Sequence, residues 1–104
     1  MTVSAQAADL LPRLRRWTAD SWALPAVGRA GPRAAAAAAA AQRIADLAAD
    51  AEGRPRREVP RLADTSLGDQ LTVLVDDVLR TADPTALIAT DAELTALRAA
   101  LGFR

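Results

Sequence analysis

The chain has 104 residues, 51% of them apolar, with 13 arginines against 13 carboxylates, a pI near 6.2 and no cysteine, histidine, lysine, tyrosine or asparagine. That inventory excludes disulfides, thiolate chemistry and Cys/His metal sites, and it leaves Asp and Glu as the working acid–base repertoire. A net charge of zero gives no whole-molecule attraction to nucleic acid or to an anionic membrane.

Twenty-seven of the apolar residues are alanine, so the large side chains that can build a core are few. A thin core with few aromatic residues suits a small all-α domain better than a sheet, which draws on β-branched and aromatic residues. The length fits one domain spanning residues 1–104. Alanine and arginine without lysine is the usage of a GC-rich bacterial genome. With no basic start leading into an apolar run, and only alanine in the longest apolar stretch, the expectation is a cytoplasmic protein with no membrane association.

In chain order, residues 1–8 are small and polar and read as frayed. The first helix is expected over about 9–23, with Asp9 as N-cap and Pro12 in its first turn. Leu10, Leu11, Leu14, Trp17 and Trp22 share one face, and Arg16 and Asp20, four apart, form a solvent-side pair. Pro25 ends the helix, and PAVGRAGP, residues 25–32, is a loop.

A long helix over about 33–52 follows, with Pro32 at its first position and Gly53 as its stop. Ala34 to Ala41 run without interruption, and alanine has the highest helix propensity. Ala37, Ala41, Ile44 and Ala48 form a face of small residues that lets another backbone approach closely. That face is a candidate partner or homodimer surface, or else the inner side of a bundle helix.

Residues 53–62 read as an extended connector rich in proline and arginine. Arg54, Arg56, Arg57 and Arg61 form a basic strip suited to phosphate or to an acidic partner. No aromatic residue interleaves them, so the strip has no base-stacking platform.

Leu67–Arg80 is the expected organising helix, within about 67–81. At about 100° per residue, Leu67, Leu71, Leu74, Val75, Val78 and Leu79 fall in one arc and Asp69, Thr72, Asp76 and Arg80 opposite. Ser66 and Asp69 suggest a capping box, and Arg80 is placed to neutralise Asp76. Val73 is the exception, an apolar residue on the polar side. Asp83-Pro84 should start a short turn through Ile88, and Thr90 with Glu93 a second capping box. The terminal helix is expected over about 91–101, striped by Leu94, Leu97 and Leu101 and stopped by Gly102, with Phe103 folding back.

These elements predict a bundle of three to four helices. Adjacent Asp76 and Asp77 point about 100° apart and cannot share one ion unaided. Ser4, Ser21 and Ser66 have no His or Lys to activate them. The residues therefore point to a non-catalytic interaction module without cofactor or metal, such as an adaptor, accessory subunit or regulator binding a protein partner or a second copy. Trp17 and Trp22, the small-residue face and the connector arginines are its candidate contacts. The alternative is a nucleic-acid-binding regulator using the arginine clusters.

Overall fold

The computed structural model describes residues 2–103, and among them every regular element is helical. The α-helices are α1 (Val3–Leu14), α2 (Ala19–Ala23), α3 (Arg33–Ala51), α4 (Leu67–Thr81) and α5 (Pro84–Ala100), with a 3-10 turn over Asp64–Ser66 leading into α4. The all-α expectation holds. Several of the expected boundaries do not.

The first helix begins earlier than expected. Thr2 caps it through its side chain, which accepts from the Ala5 N–H at 3.1 Å, and Val3, Gln6 and Ala7 are buried. Residues 3–8 are thus ordered helix. They are held by Gln6, whose Nε2 donates to Asp91 Oδ1 at 2.7 Å on α5. Asp9 is mid-helix and pairs with Arg98 at 2.9 Å. Pro12 sits in the last turn, where both it and Ala8, whose carbonyl it leaves without an intrahelical donor, face solvent. The chain bends after Leu14, and Thr18 starts the separate α2 by accepting from the Ser21 N–H. Arg16 and Asp20 therefore lie on no common helix face and do not pair.

The long helix starts at Arg33, within the expected span, but Pro32 is its N-cap rather than its first helical residue. The 25–32 loop is closed by the Ala26 N–H donating to Gly31 O at 2.9 Å and the Arg33 N–H donating to Leu24 O at 2.8 Å. At the other end, Gly53 (φ 66°) takes the left-handed conformation, and the Arg54 N–H reaches back to Ala49 O at 2.9 Å. Gly102 (φ 85°) repeats the device at the end of α5, where the Phe103 N–H donates to Arg98 O at 2.9 Å.

Two expected capping boxes do not form. Ser66 belongs to the 3-10 turn and makes no side-chain cap, while Asp69 reaches across to Arg15 Nε at 2.7 Å. Thr90 is not a helix start. Asp83 caps α5 by accepting from the Ala86 N–H at 2.9 Å, and the helix runs through Thr90 without a break. Asp83-Pro84 is the stronger start signal, and the residues that follow include no helix breaker before Gly102. Thr90 is fully buried, its hydroxyl without a partner.

Both α1 and α3 pack against α4 and α5. Side-chain contacts fix the directions. Gln6 meets Asp91 and Asp9 meets Arg98, so α1 and α5 run parallel. Arg43 meets Glu93 at 2.8 Å, and Arg33 lies beside Gly102, so α3 and α5 run antiparallel. Arg54, just after α3, lies beside Asp77 and Arg80 near the end of α4, so α3 and α4 run parallel. The connector therefore has to return along the length of the molecule, and this explains why so long a link separates two neighbouring helices.

The apolar arc of α4 is largely inside: Leu67, Leu71, Val75 and Val78 are buried and Leu74 and Leu79 half-buried. The alanine helix is equally central. Ala34, Ala37, Ala40, Ala41, Ile44 and Ala48 are buried, and such small residues let α4 and α5 both approach its backbone. Leu10, Leu14, Leu94, Leu97 and Leu101 complete the core.

Candidate functional site

The residues singled out from the sequence fall into three environments. Ala37, Ala41, Ile44 and Ala48 are each no more than 2% exposed. The small-residue face is therefore occupied by the chain's own helices and offers no free surface. Trp22 is also fully buried, which corrects its candidacy as a surface contact: five-residue α2 folds it inward. Trp17 is half-buried in a stack, its ring 4.8 Å from that of Trp22 edge-on and 5.6 Å from that of Phe103 in near-parallel register. The Arg33 guanidinium lies 4.8 Å from the Trp17 ring centre and that of Arg13 5.5 Å from Phe103. These contacts pin the C-terminus of α5 to the α1–α2 bend.

The connector arginines lie on the surface, and three of the four are neutralised locally. Arg54 pairs with Glu52 at 2.9 Å and Arg61 with Asp64 at 2.8 Å. Arg56 makes a two-pronged pair with Asp50, at 2.7 and 3.0 Å. That fork holds the Asp50 carboxyl below its ordinary value, and the acids raise Arg54 and Arg56 above theirs. Because the folded-state value of Asp50 is the depressed one, its contribution to stability is present above pH 3.8 and is lost as pH falls through the lower folded value. Arg56→Ala should return the Asp50 carboxyl to the ordinary range in an NMR pH titration. Its effect on melting should be small, because the pair is solvent-exposed.

The backbone of the connector is held as firmly as its charges. Gln42 on α3 offers its side-chain amide to both sides of one backbone step: Nε2 donates to Arg57 O at 3.0 Å and Oε1 accepts from the Val59 N–H at 2.8 Å. Gln70 on α4 donates to Pro60 O at 2.9 Å. Two amide side chains thus replace the backbone partners a strand would have had. Gln42→Leu removes two of these three bonds. The expected result is faster amide exchange and proteolysis at residues 55–61, with α1 and α5 unaffected.

Tying the connector down creates a groove between it and α4 that sequence reasoning did not anticipate. Its apolar part, about 440 Å³, is lined by Val59, Pro60, Leu62, Val73 and Leu74, with Ser66, Asp69 and Gln70 at the rim. Leu62 is 53% and Val73 59% exposed. Leu74 also walls a smaller depression shared with Arg57 and Asp77, and Asp77 with Arg54 walls a polar hollow reaching Arg80 and Thr81. The seam runs along α4, roughly 20 Å. Val73, out of place on the helical wheel, was the one signal of it.

Asp76 and Arg80 do not pair, although they are four apart; both point to solvent without an ion partner among the described residues. Among those residues, no three His, Cys, Asp or Glu side chains cluster as a metal site would need, and no helix is long and apolar enough to cross a membrane. Comparison with protein-family models, with curated proteins and with solved structures finds no match to this chain.

Proposed function

We propose that the chain is a non-catalytic interaction module: its four longer helices form a small bundle, and the connector–α4 seam is its contact surface. The observation that carries this reading is the apolar groove with Leu62 and Val73 exposed at its edge. Scattered exposed apolar residues are ordinary on a monomer. Apolar residues brought together along one groove, with polar side chains at the rim, have the make-up of a protein contact. The residue inventory adds to it, since the serines have no histidine or lysine to activate them and, among the described residues, no three carboxylates cluster.

The test is capture from cells of the source organism with the full chain and with Val73→Asp, beside light scattering of the purified protein. Loss of a retained protein, or of self-association, in Val73→Asp is the expected outcome. A strict monomer that retains the same proteins with and without the substitution would contradict it.

Nucleic-acid binding through Arg54, Arg56, Arg57 and Arg61 draws less support. Phosphate binding is driven by release of counterions from the nucleic acid, and arginines already paired with Glu52, Asp50 and Asp64 have to surrender those partners first. A low-salt titration against duplex and single-stranded DNA and RNA is expected to stay flat. Binding that falls steeply with salt and weakens on substituting these arginines would reverse the order of the two readings.

A further inference from the structure

We propose that the connector is a processing site. An endoprotease of the trypsin class, which takes an arginine side chain into an acidic pocket, hydrolyses the Arg57–Glu58 bond, and the cut chain stays together as one folded unit of two pieces. This goes beyond the contact-surface reading and needs no occupant of the groove.

The connector has the shape such an enzyme binds. Residues 54–63 form neither helix nor turn, and no residue from 52 to 66 is buried. Pro55 and Pro60 favour an extended backbone before them. The other arginines outside helices, among the described residues, are worse placed. Arg15 and Arg16 lie in the turn that closes α1, where the N–H groups of Arg15, Arg16 and Trp17 donate to Leu11, Arg13 and Leu14. Arg29 lies in a bend between Gly28 and Gly31, whose positive φ angles curl the chain.

Within the connector, side-chain pairing selects one bond. Arg54 precedes Pro55, whose ring crowds the bond between them. Arg56 is forked onto Asp50 and Arg61 is held by Asp64. Arg57 is exposed and has no ion partner among the described residues, so its guanidinium can enter an acidic pocket without surrendering one. A single restraint remains. Gln42 holds the Arg57 carbonyl and the Val59 N–H, one on each side of the bond, and has to let go before a protease can engage. Cleavage adds water across the C–N bond, leaving a carboxylate on Arg57 and an ammonium group on Glu58.

The packing keeps the two pieces together. Helices α1 and α3 each pack on α4 and α5 and scarcely touch one another. The core is therefore closed between residues 1–57 and 58–104: Leu10, Leu14 and Ile44 belong to the first piece, Leu71, Val78, Leu94 and Leu97 to the second. The pairs Gln6–Asp91, Asp9–Arg98 and Arg43–Glu93 bridge the same division. Losing the link removes only chain closure, which makes the stability of the cut form depend on concentration.

The experiment is brief treatment of the full chain with a trace of trypsin. Mass spectrometry identifies the first cut, and gel filtration and circular dichroism follow the product. The expected result is a first cut after Arg57, with both pieces eluting together at wild-type helicity and separating only in denaturant. Arg57→Gln should slow the loss of intact chain by about fivefold, as much as one exposed ion pair on the remaining arginines supplies. Asp64→Asn should open a second early cut after Arg61, and Gln42→Leu should hasten the first by about tenfold. Chain recovered from the source cells should include a piece that begins at Glu58. A first cut at Arg15, Arg16 or Arg29, pieces that part or unfold in native buffer, or only uncut chain in the cells would overturn the proposal.

Discussion

Trp22→Ala is expected to lose about 3–5 kcal/mol of unfolding free energy, the usual range for truncating a buried large aromatic side chain. A domain of this length is stabilised by about 5–15 kcal/mol in total, so the variant should melt far below wild type or fail to fold at low concentrations of urea. The reason lies in the position of Trp22. It is fully buried on a five-residue helix that has no other buried residue, and its ring is the one that meets the edge of Trp17. Removing it unseats α2, and with it the packing of Trp17 against Phe103. Trp22→Phe separates volume from polarity. The indole N–H is buried without a hydrogen-bond partner, a state that costs about 1–3 kcal/mol. Phenylalanine gives up some volume but removes that penalty, so its cost should be less than roughly half that of alanine. Equal costs for the two substitutions, read by urea unfolding, would contradict this account of the site.

Gly68→Ala should destabilise the fold by about 2 kcal/mol, although alanine is the better helix former by about 1 kcal/mol. A methyl group at residue 68 would stand 2.7 Å from the Arg15 backbone nitrogen and 2.8 Å from its Cα. Backbone atoms cannot swing aside as the tip of a side chain can. The end of α1 would have to move off the first turn of α4, and overpacking of that kind costs typically 1–3 kcal/mol, here against a particularly close neighbour. The Arg15–Asp69 pair at 2.7 Å bridges the same junction and should loosen with it. A melting temperature that rises in Gly68→Ala would mean that propensity prevails and that the two helices are free to separate.

The helices were legible from the sequence where periodicity and stop signals agreed. The arc of α4, the alanine run of α3, and the left-handed stops at Gly53 and Gly102 all stand as the spacing implies. The misjudged boundaries have one cause: a local signal was read without its tertiary competitor. Asp9 is a good N-cap by type, but it serves Arg98, and Thr2 holds the helix start because Gln6 anchors the first turns to Asp91. Thr90 resembles a cap, yet the helix begun at Asp83 never ends before it.

The surface was harder to read than the core. Trp22 and the small-residue face carry the composition of a contact site, and whether such residues lie inside or outside depends on helix directions that no local pattern records. The parallel arrangement of α3 and α4 requires the long connector, which passes Val59, Pro60 and Leu62 beside Val73. Residues 59 and 73 are distant in sequence, and only the wheel position of Val73 hinted that something lies against that side of the helix.

The most direct measurement of the proposed contact surface is a series of amide NMR spectra of the labelled full chain as the protein it retains, or unlabelled chain where it retains only itself, is added. Progressive shifts confined to residues 57–62 of the connector and 69–77 of α4 are the predicted result, with the Trp17–Phe103 end and exposed Ile88 on α5 unchanged. Shifts centred on Trp17, Phe103 or Ile88, with the connector and α4 silent, would contradict it.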